Sequence, residues 1–265
     1  MKKLVYNKQN KPSIAGPMKS FFNAAILALQ FLTRIPISKS IEPIPAITGK
    51  ALIMFPGIGL LLGLAGYCLW QVLSLAGGLH IVTIAIILLC VETMLTGAFH
   101  LDGLADTFDA FLSPATSRET MLEIMKDSRI GVMGAVALIL GLGLKAALLT
   151  EILSSGHTAA LIMYPAAGRL SQVALYVISP YVRKQGIGLL FSQAATLSTL
   201  MFASLWLLPC ITIPSLLPAL AFFIIGIIVF RHYVTKKIGG ITGDILGSVT
   251  VLSEIAFLLG AAILR

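Results

Sequence analysis

The chain has 265 residues, of which 57% are hydrophobic and 11% charged, with a formal net charge of +8. A soluble domain is about a quarter charged, and a mean hydropathy of +0.96 is too apolar for a water-facing surface. These values exclude a soluble enzyme, a disordered tail protein and a nucleic-acid reader with a wet basic face. They predict an all-α, polytopic bundle with the lipid bilayer as its solvent and no nucleic-acid partner.

Residues 1–17 are polar, include Pro12, Gly16 and Pro17, and read as a flexible basic tail. No apolar run followed by a small-residue cleavage site occurs there, so no cleaved signal peptide is expected. Residues 18–265 read as a single integral-membrane domain. From Met18 to Arg34 the apolar positions 18, 21, 22, 25, 26, 29 and 32 recur with helical period. That spacing predicts an amphipathic helix lying at the interface. After a linker with Pro36, Pro43 and Pro45, seven apolar runs follow: 52–75, 79–99, 131–153, 159–178, 190–208, 216–230 and 247–264. Most approach the ~20 residues that cross a bilayer.

Eight of the 19 cations precede Ala51 (Lys2, Lys3, Lys8, Lys11, Lys19, Arg34, Lys39 and Lys50), with Glu42 the only acid among them. A cytoplasmic N-terminus explains this, and so does a solvated basic tail. The connections 77–80, 154–157 and 209–214 hold no Lys or Arg. The connections 100–130, 181–186 and 231–240 hold Arg118, Lys126, Arg129, Arg183, Lys184, Arg231, Lys236 and Lys237. The positive-inside rule puts the latter three in the cytoplasm and the C-terminus outside. Cys68, Cys90 and Cys210 lie in apolar runs without metal-ligand spacing and read as packing residues.

All five aspartates, Asp102, Asp106, Asp109, Asp127 and Asp244, fall in the expected cytoplasmic connections. Asp102, Asp106 and Asp109 are spaced four and three, which puts them on one helix face. Like charges so placed oppose each other, and an oxygen-binding cation such as Mg2+ or Mn2+ would relieve them. A solvated acidic face is the plainer reading, but Phe99, Leu101, Leu104, Phe108 and Phe111 make the segment otherwise apolar. Gly103 permits close backbone approach. Asp127-Ser128-Arg129-Ile130-Gly131, then Gly134, could hold phosphate oxygens at a helix start. A helix cap with a snorkelling arginine fits equally. Lys237, Gly239, Gly240, Thr242, Gly243 and Asp244 could form an anion or metal nest, or simply a tight loop. Glu92, Lys145 and Arg169 are ionisable groups inside spans, suspects for function that are also explained by pairing. His100 adjoins the acids but points about 200° away from Asp102 on a continuous helix.

At these residues a family becomes recognisable. The run TGAFHLDGLADTFD (96–109) resembles the signature of the cobalamin synthases, the adenosylcobinamide-GDP ribazoletransferases. MLEIMKDSRIG (121–131), GGITGDILG (239–247) followed by Glu254, and FLTRIP (31–36) agree with it, so the resemblance covers the chain from about residue 20 onward. Departures are Ala110, where a Gly is common after the third Asp, then Val132-Met133 and Ser248, and none removes a carboxylate. The resemblance implies a reaction joining adenosylcobinamide-GDP to alpha-ribazole, or its 5'-phosphate, with release of GMP and a requirement for Mg2+. It also implies the plasma (inner) membrane of a prokaryote and invites other corrinoid-pathway enzymes as partners.

Chemistry of that kind is positioning plus charge neutralisation. Asp102, Asp106 and Asp109 are then expected to hold Mg2+, with Asp244 and Glu92 completing the set. Arg129 and Lys237 would stabilise leaving GMP, and Asp109 or His100 would take the ribose proton. Asp127, Ser128, Thr242 and Arg169 are the further candidate substrate contacts. A CDP-alcohol phosphotransferase, a polyprenyl transferase and a cation-coupled transporter are the alternatives; this chain has Asp106 where the first has an Arg after D-G-x2-A, it lacks the N-D-x2-x-D type array of the second, and the third would want carboxylates at mid-membrane.

Overall fold

A computed structural model describes residues 17–263. Residues 1–16 of the expected tail and the last residues of the final expected span lie outside the described part. The helices are α1 (Pro17–Leu32), α2 (Pro45–Ala76), α3 (Ile81–Thr96), α4 (Phe99–Phe111), α5 (Arg118–Ile124) and α6 (Val132–Ser154). Then come α7 (Thr158–Ile178), α8 (Ile187–Ala194), α9 (Leu197–Ser204), α10 (Pro209–Thr212), α11 (Leu217–Ile238) and α12 (Gly243–Ile263). Among the described residues, five helices are long and apolar enough to cross a membrane, or up to seven if each of two bent pairs is one span. The expected all-α polytopic bundle is therefore the observed architecture. The run 190–208 is not one rod, because α8 and the segment beginning with α9 meet at 91°.

α7 and α12 are the interior helices, buried along most of their length. α2, α6 and α11 surround them and turn residues such as Leu61, Ile139, Leu140, Ile225 and Val229 outward. Lipid tails are as apolar as these side chains, so burial between helices alone gives little drive to associate. Close backbone approach supplies it instead. Gly59 and Gly63, four apart on α2, face the backbone of Pro165 and Ile162 on α7, where a Cβ would collide.

α1 packs on α2 through Ala24, Leu27, Ala28 and Leu32. Of the expected stripe, Met18, Phe21 and Phe22 are exposed, while Ala24, Leu27 and Ala28 face the bundle. Two small residues four apart let a neighbouring helix in, and the bulky residues are left for the surroundings.

The second expected run ends in a sharp corner. Gly97 and Ala98 take left-handed φ values of 65° and 59°, and α4 leaves α3 at 91°. A Cβ at Gly97 would strike the Arg34 side chain, whose guanidinium carbon sits 4.7 Å from the Phe99 ring centre. α4 thus lies across the bundle's end rather than continuing through it. It rests on α12, with Gly103 against Asp244 and Gly247.

Candidate active site

The aspartate spacing gives what helix geometry requires. α4 is continuous from Phe99 to Phe111, and Gly103, Leu104, Ala105, Thr107 and Ala110 are its buried side. Asp102 is exposed, and Asp106 and Asp109 are half-buried. α12 begins at the same place, with Asp244 in its first turn. Asp244 accepts from Arg183 at 2.5 Å and from the Thr242 hydroxyl at 3.2 Å. Arg183 arrives by a short backbone pairing. Val182 N–H donates to the Ile241 carbonyl at 2.9 Å, and Ile241 N–H to the Pro180 carbonyl at 2.8 Å.

Partial burial of Asp106, reinforced by the charges of Asp102, Asp244 and Asp109, pushes its carboxyl up to about 7, with Arg183 opposing the shift. Four carboxylates thus converge with one guanidinium to offset them. This unrelieved repulsion, with oxygen donors alone, fits a hard divalent cation. Among the described residues no three His, Cys, Asp or Glu side chains close into a ready cage.

Two expected ligands are committed elsewhere. Both Asp109 oxygens accept backbone N–H groups at the start of α6, from Gly131 and Gly134, each at 2.7 Å. A Cβ at either glycine would strike that carboxylate. The helix start expected to hold phosphate therefore holds Asp109, by the same donor geometry. Asp109 thus anchors α4 to α6, with one N–H on each carboxylate oxygen.

Glu92 is the second of them. Its carboxylate accepts from Lys145 at 2.8 Å and Tyr164 at 2.9 Å, with Arg169 at 3.5 Å. Lys145 also pairs with Glu254 at 2.6 Å, and Arg169 pairs with Glu254. Two acids and two bases from α3, α6, α7 and α12 balance inside the bundle. Arg169 is fully buried there, which removes it from the substrate contacts. A charge at this depth persists only when paired in this way.

The remaining expectations divide. Thr242 is fully buried and its hydroxyl serves Asp244 and the Ile245 N–H, so it orients Asp244 instead of meeting substrate. Lys237 donates to the Phe111 carbonyl at 3.2 Å and so satisfies the end of α4, as a cation near a helix C-terminus does. Arg129 is exposed and paired with Asp127 at 2.6 Å. Those hydrogen bonds hold the Asp127 carboxyl down at about 2. Both residues, with Asp109, Ser113 and Gly131, line an open cavity of about 680 Å³; Ser128 is exposed beside them. His100 turns away from Asp102, as its angle requires, to lie 3.0 Å from the Gln172 amide nitrogen. Burial, then the nearby Arg169 charge, holds its imidazole well below the ordinary value, hence neutral.

The sequence reading missed Arg183, one of several loop cations with no motif around it, and Glu254 as the second acid of the buried cluster. It identified Gly103 correctly as a close-approach glycine. A Gly103→Ala variant is expected to lose about tenfold in turnover, because overpacking of roughly 1–3 kcal/mol pushes α4 off the Asp244 carbonyl. Turnover of the detergent-purified variant, beside an unchanged elution profile, checks this.

A family model described as cobalamin-5-phosphate synthase matches residues 24–262. The chain belongs to the cobalamin-5-phosphate synthase family. It is 37% identical over 241 residues to an adenosylcobinamide-GDP ribazoletransferase of Pseudomonas putida strain GB-1, covering 90% of this chain and 98% of that one. A protein of the same name from Stutzerimonas stutzeri is 37% identical over 240 residues, covering 90% and 97%. Another from Pseudomonas entomophila is 36% identical over 242 residues, covering 90% and 98%. No solved structure matches the chain. Membership of the synthase family sets aside the phosphotransferase, polyprenyl transferase and transporter readings.

Proposed function

We propose that the chain is an adenosylcobinamide-GDP ribazoletransferase that joins adenosylcobinamide-GDP to alpha-ribazole, or its 5'-phosphate, and releases GMP. The observation that carries this is the family match across nearly the whole chain, 24–262. The reaction is placed at the end of the bundle where α4 meets α12, and the aspartates carried there by both helices support that placement.

The ribose hydroxyl attacks the phosphorus bonded to cobinamide. A new P–O bond forms, the pyrophosphate bridge breaks, and the bridging oxygen leaves with GMP. Asp102, Asp106 and Asp244 would hold Mg2+, which supplies charge neutralisation at the pyrophosphate when bound. Arg183 fixes Asp244, and Thr242 orients it. Gly131 and Gly134 fix Asp109, and through it α4. Arg129 is tied to Asp127 only by an exposed pair, which is weak; it is free to swing onto the phosphate of the leaving nucleotide at the 680 Å³ cavity. The ribose proton goes to Asp109 or to His100, the two acceptors that α4 carries.

The carboxylate site faces the cytoplasm of a bacterial plasma membrane. What supports this is the clustering of Arg118, Lys126, Arg129, Arg183, Lys184, Arg231, Lys236 and Lys237 in the connections at that end. Partners there are the two substrates, the bilayer and other corrinoid-pathway enzymes. The test is GMP release by purified protein from adenosylcobinamide-GDP plus alpha-ribazole. Release is expected to require both the ribazole and Mg2+, and EDTA is expected to abolish it. GMP formed equally without ribazole would overturn the transferase reading, and turnover unaffected by EDTA would overturn the metal.

A further inference from the structure

A second cavity, of about 490 Å³, opens on the other side of α4, between α1, α7, α8 and α12. Its size is that of a site for one small molecule, and a corrin ring bearing a nucleotide exceeds it. Phe31, Phe99, Tyr176 and Tyr181 line it, with Leu246 and Ile187 adding aliphatic wall. The Tyr176 and Tyr181 rings are nearly parallel, 23° apart at 6.3 Å. The polar side chains on the lining are Gln30, His100, Gln172, Arg183 and Gln185. The Tyr176 hydroxyl is buried without a hydrogen-bond partner, on a residue only 3% exposed. A buried hydroxyl left unpaired is costly, and a ligand atom in the cavity would meet it. At one end the lining includes Arg183 and Gly243, next to Asp244.

We infer that this cavity holds the acceptor nucleoside, its flat aromatic base against the tyrosine and phenylalanine rings and its ribose at the Arg183 end. The inference rests on the transferase reading above. Ribazole carries a dimethylbenzimidazole, a bicycle with an apolar edge, and the aromatic wall suits that base. The placement brings the ribose to the Arg183 and Gly243 end of the cavity, next to Asp244. The guanosine diphosphate arm then approaches from the opposite, Arg129 side of α4.

Two variants test this in the full chain. Tyr176→Phe removes only the hydroxyl and keeps the ring. Ile187→Trp, at a half-exposed position on the wall, fills the cavity. Steady-state GMP release is measured with each substrate varied in turn, and alpha-ribazole binding is measured by equilibrium dialysis without the corrinoid. Tyr176→Phe is expected to raise KM for ribazole about five- to tenfold, the effect of one lost hydrogen bond. Ile187→Trp should raise it further and abolish binding in dialysis. KM for adenosylcobinamide-GDP should stay unchanged in both, which also reports intact folding. A rise in the corrinoid KM instead would give the cavity to guanine, and no change in either KM would empty it of any role; both overturn the inference. Wild-type protein that binds ribazole in dialysis, loses it in Ile187→Trp, yet releases no GMP would overturn the transferase reading and leave the cavity assignment standing.

Discussion

Asp106→Asn is expected to lower GMP release on the order of 10²–10³-fold, the cost of removing one preorganised charge at a reacting phosphate. Asp106 is the middle acid of α4 and the one most pressed by its neighbours, with a carboxyl raised to about 7. Asparagine has nearly its shape, so α4 should still pack on α12 through Gly103. What is lost is one anionic oxygen ligand among Asp102, Asp106 and Asp244. The signature is therefore a fall in turnover with a raised Mg2+ requirement and, because the amide relieves the repulsion that raises the Asp106 carboxyl, an unfolding temperature no lower than that of the unsubstituted protein. Asp102→Asn should behave alike, because that side chain is exposed and makes no packing contact that its amide would break. An Asp106→Asn enzyme with more than a tenth of wild-type turnover at saturating Mg2+ would remove the aspartate face from the chemistry.

The contrast with Asp109 shows what was legible in the sequence. Spacing of four and three over Phe99–Phe111 states a shared helix face, because helical period is a local property. It says nothing about what each carboxylate meets. Gly131 and Gly134 advertise N–H groups ready for an anion, and either a phosphate or Asp109 satisfies them equally well on paper. Only the crossing of α4 over the start of α6 decides it. The corner at Gly97-Ala98 is hidden for a similar reason: two small residues inside an apolar run read as span. Arg183 reaches Asp244 across 61 residues, through a pairing of two loops that carries no periodicity. Five of the seven apolar runs, in contrast, are single helices long enough to cross a bilayer among the described residues, and composition reports them directly.

Loss of Lys145 is expected to be the most damaging change for stability. Lys145→Met leaves Glu92 and Glu254 facing each other with Arg169 as their only remaining cation. Breaking a buried pair costs about 3–5 kcal/mol, which at roughly 2–4 °C per kcal/mol for a chain of this size lowers the unfolding midpoint by on the order of 10 °C. The partners lie 53 and 109 residues from Lys145, so the cluster ties α3, α6 and α12 together, with α7 joined through Arg169 and Tyr164. Three of these helices serve the site directly. α3 leads into α4, α6 begins at the N–H groups holding Asp109, and α12 begins at Asp244. Turnover should therefore fall along with stability, although no member of the cluster touches substrate. Restoring neutrality separates charge from shape. In Lys145→Met/Glu92→Gln one cation and one anion are both gone, Arg169 balances Glu254, and the Tyr164 hydroxyl can still donate to the glutamine oxygen. More than half of the lost midpoint and turnover should return. Equal melting of the single and double variants in detergent would mean that packing at Lys145, and not charge balance, holds the four helices in register.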